Sequence, residues 1–482
     1  MWPFNSESSS FWQPLGFASM ASTLRENDFD VEIIDCLPIK KGWKTLKKTI
    51  EKKNFDILCV GDETASAIES IKLARFTKQV KPDTKIIGGG YFLPYMQEHS
   101  LNGWAMNYLV RGEGEETLLD LTNQLDGRKK ESISKIKGLT YKDKQGNIHI
   151  NRERPPLDLN SLPLPAYDLL PMHLYGNNSD NHKDFSAIEH GRGCLGDCDF
   201  CSINSHYSYK NKSCYRTKSA EKSFEETELL IKKYKRKTLN WADGTFNLDP
   251  NWSKEYFQLL KENNLSINHT TWMRADCVVR DEKLGIMKSM ADNGLVQTVI
   301  GMERLNDSFK LHTYNKDYNT CIKAFKLLKK YKKIFTIASL IYGLPDDGKK
   351  ELKEIKRFIY KNIVDFQFIL PFTPYPGTRL WKDYSNRFRV EDFQSWNLHR
   401  PVMATSKLSR NQLDRWFKGC LFSYIFHPSF YTRTLFEKDP RKQSVQRSLA
   451  KKLLKGLFNG ITDSIANKKA LEYGRKPGWY NS

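Results

Sequence analysis

Along the first 125 residues, short apolar runs alternate with stretches whose apolar residues recur every three to four positions, the mark of strands alternating with amphipathic helices. Residues 14–25 (PLGFASMASTLR) have helical spacing, 31–36 (VEIIDC) read as a short strand, and 43–53 as a basic amphipathic helix. Then come a buried strand at 55–61 (FDILCVG), a helix at 67–80 and a strand at 85–90 (KIIGGG) that runs into glycines. A strand at 108–112 (YLVRG) and a helix at 115–125 complete the region. Such alternation predicts an α/β fold that opens with a doubly wound, Rossmann-like parallel sheet.

Residues 126–180 change character, with a hairpin around Gln145-Gly146-Asn147 and then the proline-rich linker PPLDLNSLPLPAYDLLP. From 181 to 395 the alternation resumes in longer units. Strands are expected at 185–191, 238–244, 268–276, 295–301, 335–343 and 364–372, with helices between them. Six such units predict a full or partial TIM-type barrel, with its chemistry at the C-terminal strand ends. Residues 396–482 are basic and mostly helical. At 448–461, Leu449, Leu453, Leu454, Leu457 and Ile461 share one helical face with lysines opposite. That pattern fits a terminal helix packed on the barrel or one lying on an anionic membrane surface.

Hydrophobic residues make up 39% and charged residues 28% of the chain, a balance that excludes a disordered or fibrous protein. The net charge of +21 would suit nucleic acid, but the lysines are scattered and no basic stretch is interleaved with stacking aromatics, so nucleic acid is not an expected partner. No run of about 20 apolar residues is present to span a membrane. The N-terminus has neither the basic nor the apolar region of a secretory signal. Nine cysteines, mostly far apart, fit a reducing, cytoplasmic setting better than a disulfide framework.

Three of those cysteines are different: Gly191-Arg-Gly-Cys194-Leu-Gly-Asp-Cys198-Asp-Phe-Cys201 places three thiols on one polar loop, directly after the first expected barrel strand. Three soft ligands so spaced suit an iron–sulfur cluster or zinc. Closed zinc coordination needs a fourth ligand, for which His190, His206 and Cys214 are candidates, whereas a cluster on three thiolates leaves one iron open.

The spacing Cys194-x3-Cys198-x-Phe200-Cys201 resembles the signature of radical S-adenosylmethionine (SAM) enzymes. The resemblance implies a 4Fe–4S cluster on Cys194, Cys198 and Cys201 whose open iron chelates SAM, and a 5′-deoxyadenosyl radical formed by one-electron cleavage of SAM. It extends to Asp243-Gly-Thr-Phe246, Trp272-Met-Arg274-Ala-Asp276, Ile300-Gly-Met-Glu303 and Ile341-Tyr-Gly343-Leu-Pro345. By this likeness Phe200, Asp243, Arg274 and Glu303 are the expected SAM contacts.

The N-terminal part resembles the cobalamin-binding domain that precedes the barrel in one branch of that superfamily. The likeness implies cobalamin contacts from Pro14 and Gly16, from Thr64 and Ser66, from Gly88, Gly89 and Gly90, and from Gly112, Glu113 and Gly114. No Asp-x-His-x-x-Gly loop is present, the first histidine being His99, so cobalamin binding would rest on backbone and fold rather than on a cobalt-ligating side chain. Members of this branch usually begin with an apolar strand before the Pro-Leu-Gly turn; here only MWPFNSESSSFW precedes Gln13, so the first strand of the sheet is expected to be missing. A weaker likeness, in residues 420–431, is to the anaerobic magnesium-protoporphyrin monomethyl ester cyclases. The resemblance implies methylation or oxidative cyclisation of a small molecule or lipid, driven by an external one-electron reductant such as flavodoxin or ferredoxin. Two other readings are a methylthiotransferase-like enzyme acting on tRNA and a zinc-binding module without catalysis. The first of these normally carries a second cysteine-rich cluster site near its N-terminus, where this chain has only Cys36 and Cys59.

Overall fold

The computed structural model describes residues 10–447 apart from 63, 65, 178–183, 306–316, 362, 389–392, 394, 395, 397, 399, 429–436 and 444. Two sheets organise it. The first has five strands in the order β2 (Ile57–Asp62), β3 (Lys85–Gly90), β4 (Tyr108–Val110), β5 (Leu139–Lys142) and β6 (Ile148–Ile150). The first three run parallel, and the β5–β6 hairpin adds on antiparallel, so the turn at Gln145-Gly146-Asn147 enlarges this sheet rather than standing apart from it.

One expected strand does not form. Residues 31–35 carry no ladder, and β2 is an outer strand of the sheet among the described residues. Among the described residues no strand lies beside this segment, so its backbone has no ladder to join. The segment is tied elsewhere, because Tyr175 in the linker donates its hydroxyl to Asp35 Oδ2 at 2.7 Å. Before the first helix, β1 (Ser10–Phe11) pairs antiparallel with β7 (Gly176–Asn177) in the linker.

The second sheet is six-stranded and parallel throughout, in the order β15-β14-β13-β12-β11-β8, and is open, not a closed barrel. Its strands are β8 (Phe185–Ile188), β11 (Thr238–Trp241), β12 (Asn268–Met273), β13 (Leu295–Glu303), β14 (Phe335–Tyr342) and β15 (Phe366–Pro371), all within the expected segments but for the end of β13. FTIASLIY of β14 is buried at every position, as a strand covered on both faces requires. The flanking helices follow from apolar spacing and caps. In Lys349–Tyr360, Leu352, Ile355, Phe358 and Ile359 are the buried face. In Pro250–Glu262, Asp249 accepts from the backbone N–H groups of Asn251 and Trp252, with proline at the first helical position.

An open sheet leaves a free edge at β8, and the segment before the first helix covers it. Gln13 is buried; its Oε1 accepts from the Ala187 N–H at 2.7 Å and its Nε2 donates to the Phe185 carbonyl at 3.5 Å. The helix Arg410–Ile425 packs behind β14, where Tyr342 stacks on Phe417. The lysine-faced stretch 448–461 lies outside the described residues. No helix among the described residues is long and apolar enough to cross a membrane.

The two sheets meet at the C-terminal ends of their strands. Phe92 and Leu93, just beyond β3, share one buried apolar cluster with Ile341, Leu344 and Phe372 at the ends of β14 and β15. Each sheet therefore presents its loop-bearing end to the other.

Candidate active site

The cysteine loop leaves the barrel at β8. The chain turns through Glu189 and His190 into β9 (Gly191–Gly193), which pairs antiparallel with β10 (Tyr215–Thr217), Gly193 facing Tyr215. This ribbon pinches off residues 194–214 as a loop. Gly193 has φ +85°, and a Cβ there would run into the Cys214 carbonyl, so only glycine fits. Cys198 is buried, and Cys194 and Cys201 are partly so. The Cys201 N–H donates to the Cys198 carbonyl at 3.1 Å, making a tight turn that enters the short helix Ser202–Tyr207. The Gly196 N–H donates to Cys194 Sγ at 3.3 Å.

Among the described residues no three His, Cys, Asp or Glu side chains converge on one point. Binding of a metal centre couples to ligand placement, so what the fold must supply is the donor set on one confined loop. The three possible fourth zinc ligands do not join the trio. His190 stacks on Trp252 at 3.7 Å in an aromatic box, the His206 ring lies tilted against Tyr91 at 4.3 Å, and the Cys214 thiol donates to the Lys212 carbonyl at 3.5 Å.

Ion pairs hold the loop from two sides. Arg379 reaches Asp199 at 2.9 Å and Asp197 at 3.3 Å, both inside the cysteine motif. Arg192, in β9, is buried among Glu189, Glu113 and Glu115, at 2.8, 2.8 and 2.7 Å. Burial works against the Arg192 charge, but Glu189 and Glu115 raise its pKa. Burial raises Glu189 despite Arg192, whereas the guanidinium lowers Glu115 in spite of its burial.

The expected SAM contacts sit around the ends of the neighbouring strands. Asp243 Oδ1 accepts from the backbone N–H groups of His190 and Gly191 at 3.0 and 2.5 Å, which fixes the entry to the cysteine loop. Nδ1 of His190 also lies 3.0 Å from that oxygen, but without hydrogen-bond alignment. Asp243 Oδ2 is buried and has no partner among the described residues. Thr245 Oγ1 lies 3.8 Å from Cys194 Sγ. Arg274 is buried and forks onto Asp276 at 3.0 and 2.8 Å; burial opposes its charge, but Asp276 raises its pKa. Glu303 ends β13 at a register shift, with φ +60°, a left-handed backbone that a non-glycine residue adopts at a cost of about 1–3 kcal/mol and that clusters at ligand sites. Phe200 packs against the apolar seam between the sheets.

The expected cobalamin contacts divide by surroundings. Pro14 occupies the N-cap position of the helix Leu15–Arg25, and among the described residues nothing beyond the adjoining residues and the helix's own backbone lies within 4 Å of where a Gly16 Cβ would stand. Thr64 is buried, and Ser66 precedes the helix Ala67–Val80. Gly88 is hemmed in by Leu109, Leu93 and Met106, Gly89 is near the Val110 carbonyl, and Gly114 abuts Met20. Gly90 and Gly112 take left-handed backbones at φ +94° and +68°, and Gly112 faces the His206 carbonyl. Glu113 is engaged by Arg192 and also by Arg216 of β10. Gly112, just beyond β4, thus borders the short helix Ser202–Tyr207 within the cysteine loop. Nearby, Tyr342 is packed against Phe417 and Tyr375 packs on Trp396.

Residues 188–359 match the family model of the radical SAM superfamily, and residues 2–122 match that of the B12 binding domain. The chain belongs to the cobalamin-binding radical SAM enzymes. As such it is 28% identical over 431 residues to an uncharacterized methyltransferase of Pyrococcus horikoshii, covering 88% of this chain and 90% of the relative. It is 24% identical over 477 residues to the anaerobic magnesium-protoporphyrin IX monomethyl ester cyclase of Rubrivivax gelatinosus, covering 97% and 82%. Its fold matches that of the cobalamin-dependent SAM radical enzyme OxsB with aqua-cobalamin and SAM bound. That match has a TM-score of 0.69 at 16% identity and covers 91% of this chain and 68% of the other.

A radical SAM enzyme with a B12 binding domain uses a 4Fe–4S cluster, SAM and cobalamin. The residues present suit these groups. The confined loop offers three soft donors, the buried and unpartnered Asp243 Oδ2 offers an acceptor beside it, and open space at Gly16 with left-handed Gly90 and Gly112 lets a bulky ligand approach backbone. Sequence reasoning missed the cations that brace this radical SAM site. Arg192 stood inside the quoted cysteine motif, but its carboxylate partners are 77 and 79 residues away in sequence.

Proposed function

We propose that Cys194, Cys198 and Cys201 hold the cluster, that Asp243, Arg274, Glu303 and Phe200 line the SAM position, and that cobalamin lies on the strand-end turns at Pro14–Gly16, Thr64–Ser66, Gly88–Gly90 and Gly112–Gly114. The reaction is methylation or oxidative cyclisation at an unactivated carbon of a small molecule or lipid, fed by an external one-electron reductant of flavodoxin or ferredoxin type. When bound, the cluster and SAM supply hydrogen-atom abstraction, and cobalamin supplies methyl or one-electron chemistry.

The observation that carries this reading is the meeting of the two sheets end to end, with the cysteine loop and the glycine turns on the same seam. The chain's own residues then have definite tasks. The Gly196 N–H donates to the Cys194 sulfur, and Asp243 fixes the loop entry through Oδ1 while Oδ2 is left to accept from a ligand. Arg274 is held at the end of β12 by Asp276. Phe92, Leu93, Leu344 and Phe372 seal the seam against water, which a reactive radical requires. Trp272, the one exposed position of β12 and stacked on Phe368, offers an aromatic wall for substrate. A methylthiotransferase reading finds no support in residues 2–122, which match the B12 binding domain and carry only Cys36 and Cys59.

The test is an anaerobic incubation with reductant and methyl-labelled SAM. Formation of 5′-deoxyadenosine together with S-adenosylhomocysteine means methylation; 5′-deoxyadenosine alone means oxidation or cyclisation. Formation of neither by iron-loaded protein overturns the proposal.

A further inference from the structure

The clamp between the two halves of the molecule takes hold at the cysteine loop itself. Arg192 spends Nε on Glu189, Nη1 on Glu113 and Nη2 on Glu115. Two of these carboxylates come from the turn that leaves β4 in the first sheet. Glu113 also engages Arg216, which stands opposite Arg192 in the β9–β10 register. Arg192 precedes Cys194 by two positions, and Arg216 follows Cys214 by two. One carboxylate of the B12 binding domain therefore grips both ends of the loop that carries the cysteine trio.

Two guanidinium groups side by side on a ribbon repel each other unless an anion bridges them, so the ribbon depends on Glu113 being in place. Glu115 passes the constraint on, accepting from the Ser19 hydroxyl at 2.7 Å and so tying in the helix Leu15–Arg25. Adhesion between the halves is already supplied by the apolar seam, and a buried charge network is a costly way to add more. What the network adds is direction, because a planar guanidinium fork donates to carboxylates only along fixed lines.

We propose that Arg192 is a positioning residue that sets the separation and orientation of the cysteine loop relative to the cobalamin turn. The proposal rests on the cluster and cobalamin assignments above. Its test uses the full-length, anaerobically purified protein with cluster and cobalamin loaded, comparing wild type with Arg192→Lys, which keeps the charge but loses the fork. Iron and cobalt content are measured first. The readout is the magnetic interaction between the reduced cluster and Co(II) in electron paramagnetic resonance, which depends steeply on distance and orientation.

The expected result is that Arg192→Lys retains iron and cobalt but loses or reshapes the splitting seen in wild type. An unchanged splitting in the loaded variant overturns the proposal. Should Arg192→Lys fail to fold, Glu115→Ala removes one arm of the fork while leaving Glu113 and Glu189 in place, and the same two outcomes decide. Wild-type protein that takes up neither iron nor cobalt would instead defeat the underlying assignment, a failure distinct from an unaltered splitting.

Discussion

Gly193 lies against the carbonyl of Cys214 so closely that no side chain can stand between them, and its backbone is left-handed at φ +85°. This contact closes the neck of the loop that holds Cys194, Cys198 and Cys201. Gly193→Ala should therefore open the ribbon, at a cost of at least about 2 kcal/mol from strain and displaced backbone. The measurement is thermal unfolding together with iron retention, both expected to fall. Gly16→Ala is the control, because among the described residues only the adjoining chain and its own helix lie within 4 Å of the added methyl; it should not lower the midpoint and should weaken only cobalamin uptake.

The cysteine trio and Cys214 should behave differently. Alanine at Cys194, Cys198 or Cys201 is expected to abolish iron binding and SAM cleavage. Cys214→Ala should leave both intact, since that thiol points to its own loop at Lys212. Iron analysis of the four variants checks this, and loss of metal from the Cys214 variant would favour a four-ligand zinc site.

Arg379 is half-exposed, so its pairs with Asp197 and Asp199 contribute no more than about 1 kcal/mol. Arg379→Ala should barely move the unfolding midpoint. The loop it braces carries the expected cluster ligands, so bleaching of the visible absorption in air should be faster than in wild type. Equal bleaching rates would show that the brace plays no part in shielding the site.

Burial lowers the pKa of His269 to about 3, and its Nδ1 accepts from Trp241 Nε1–H at 3.0 Å. The unfolded chain takes up this proton near 6.5, whereas the folded chain resists until about 3. The stability contributed by a neutral His269 is thus complete above about 6.5 and drains away as pH falls toward about 3, by about 1.4 kcal/mol per unit. His206, lowered to about 4 by burial and by Arg192, acts in the same direction. Denaturant titrations at neutral and mildly acid pH should show this slope, and His269→Gln, which retains an acceptor without titrating, should flatten it. An identical slope in the variant would exclude His269 as a source.

Much of the fold was legible because it depends on local pattern. The apolar periodicity located all six strands of the second sheet, and the glycine-ended strand at 85–90 was readable for the same reason. The segment VEIIDC misled, since strand propensity has no effect without a neighbour to pair with, and whether a neighbour exists is a property of the sheet. At the site, the cysteine spacing is a local signal and stood out. The grip of Glu113 on Arg192 and Arg216, the capping of the β8 edge by Gln13 and the bracing of Asp197 and Asp199 by Arg379 join residues that are remote in sequence, and no periodicity records them. Asp243 shows the limit from the other side: its position at a strand end was evident, but the use of Oδ1 on two backbone N–H groups became visible only when the loop entry was in place.

The central claim is that one loop holds an iron–sulfur centre for radical chemistry on SAM. Iron and acid-labile sulfide in anaerobically reconstituted protein test it most directly. About four of each per chain are expected in wild type and none in the Cys198→Ala variant. Wild-type protein free of both, or a Cys198→Ala variant that retains them, would contradict it.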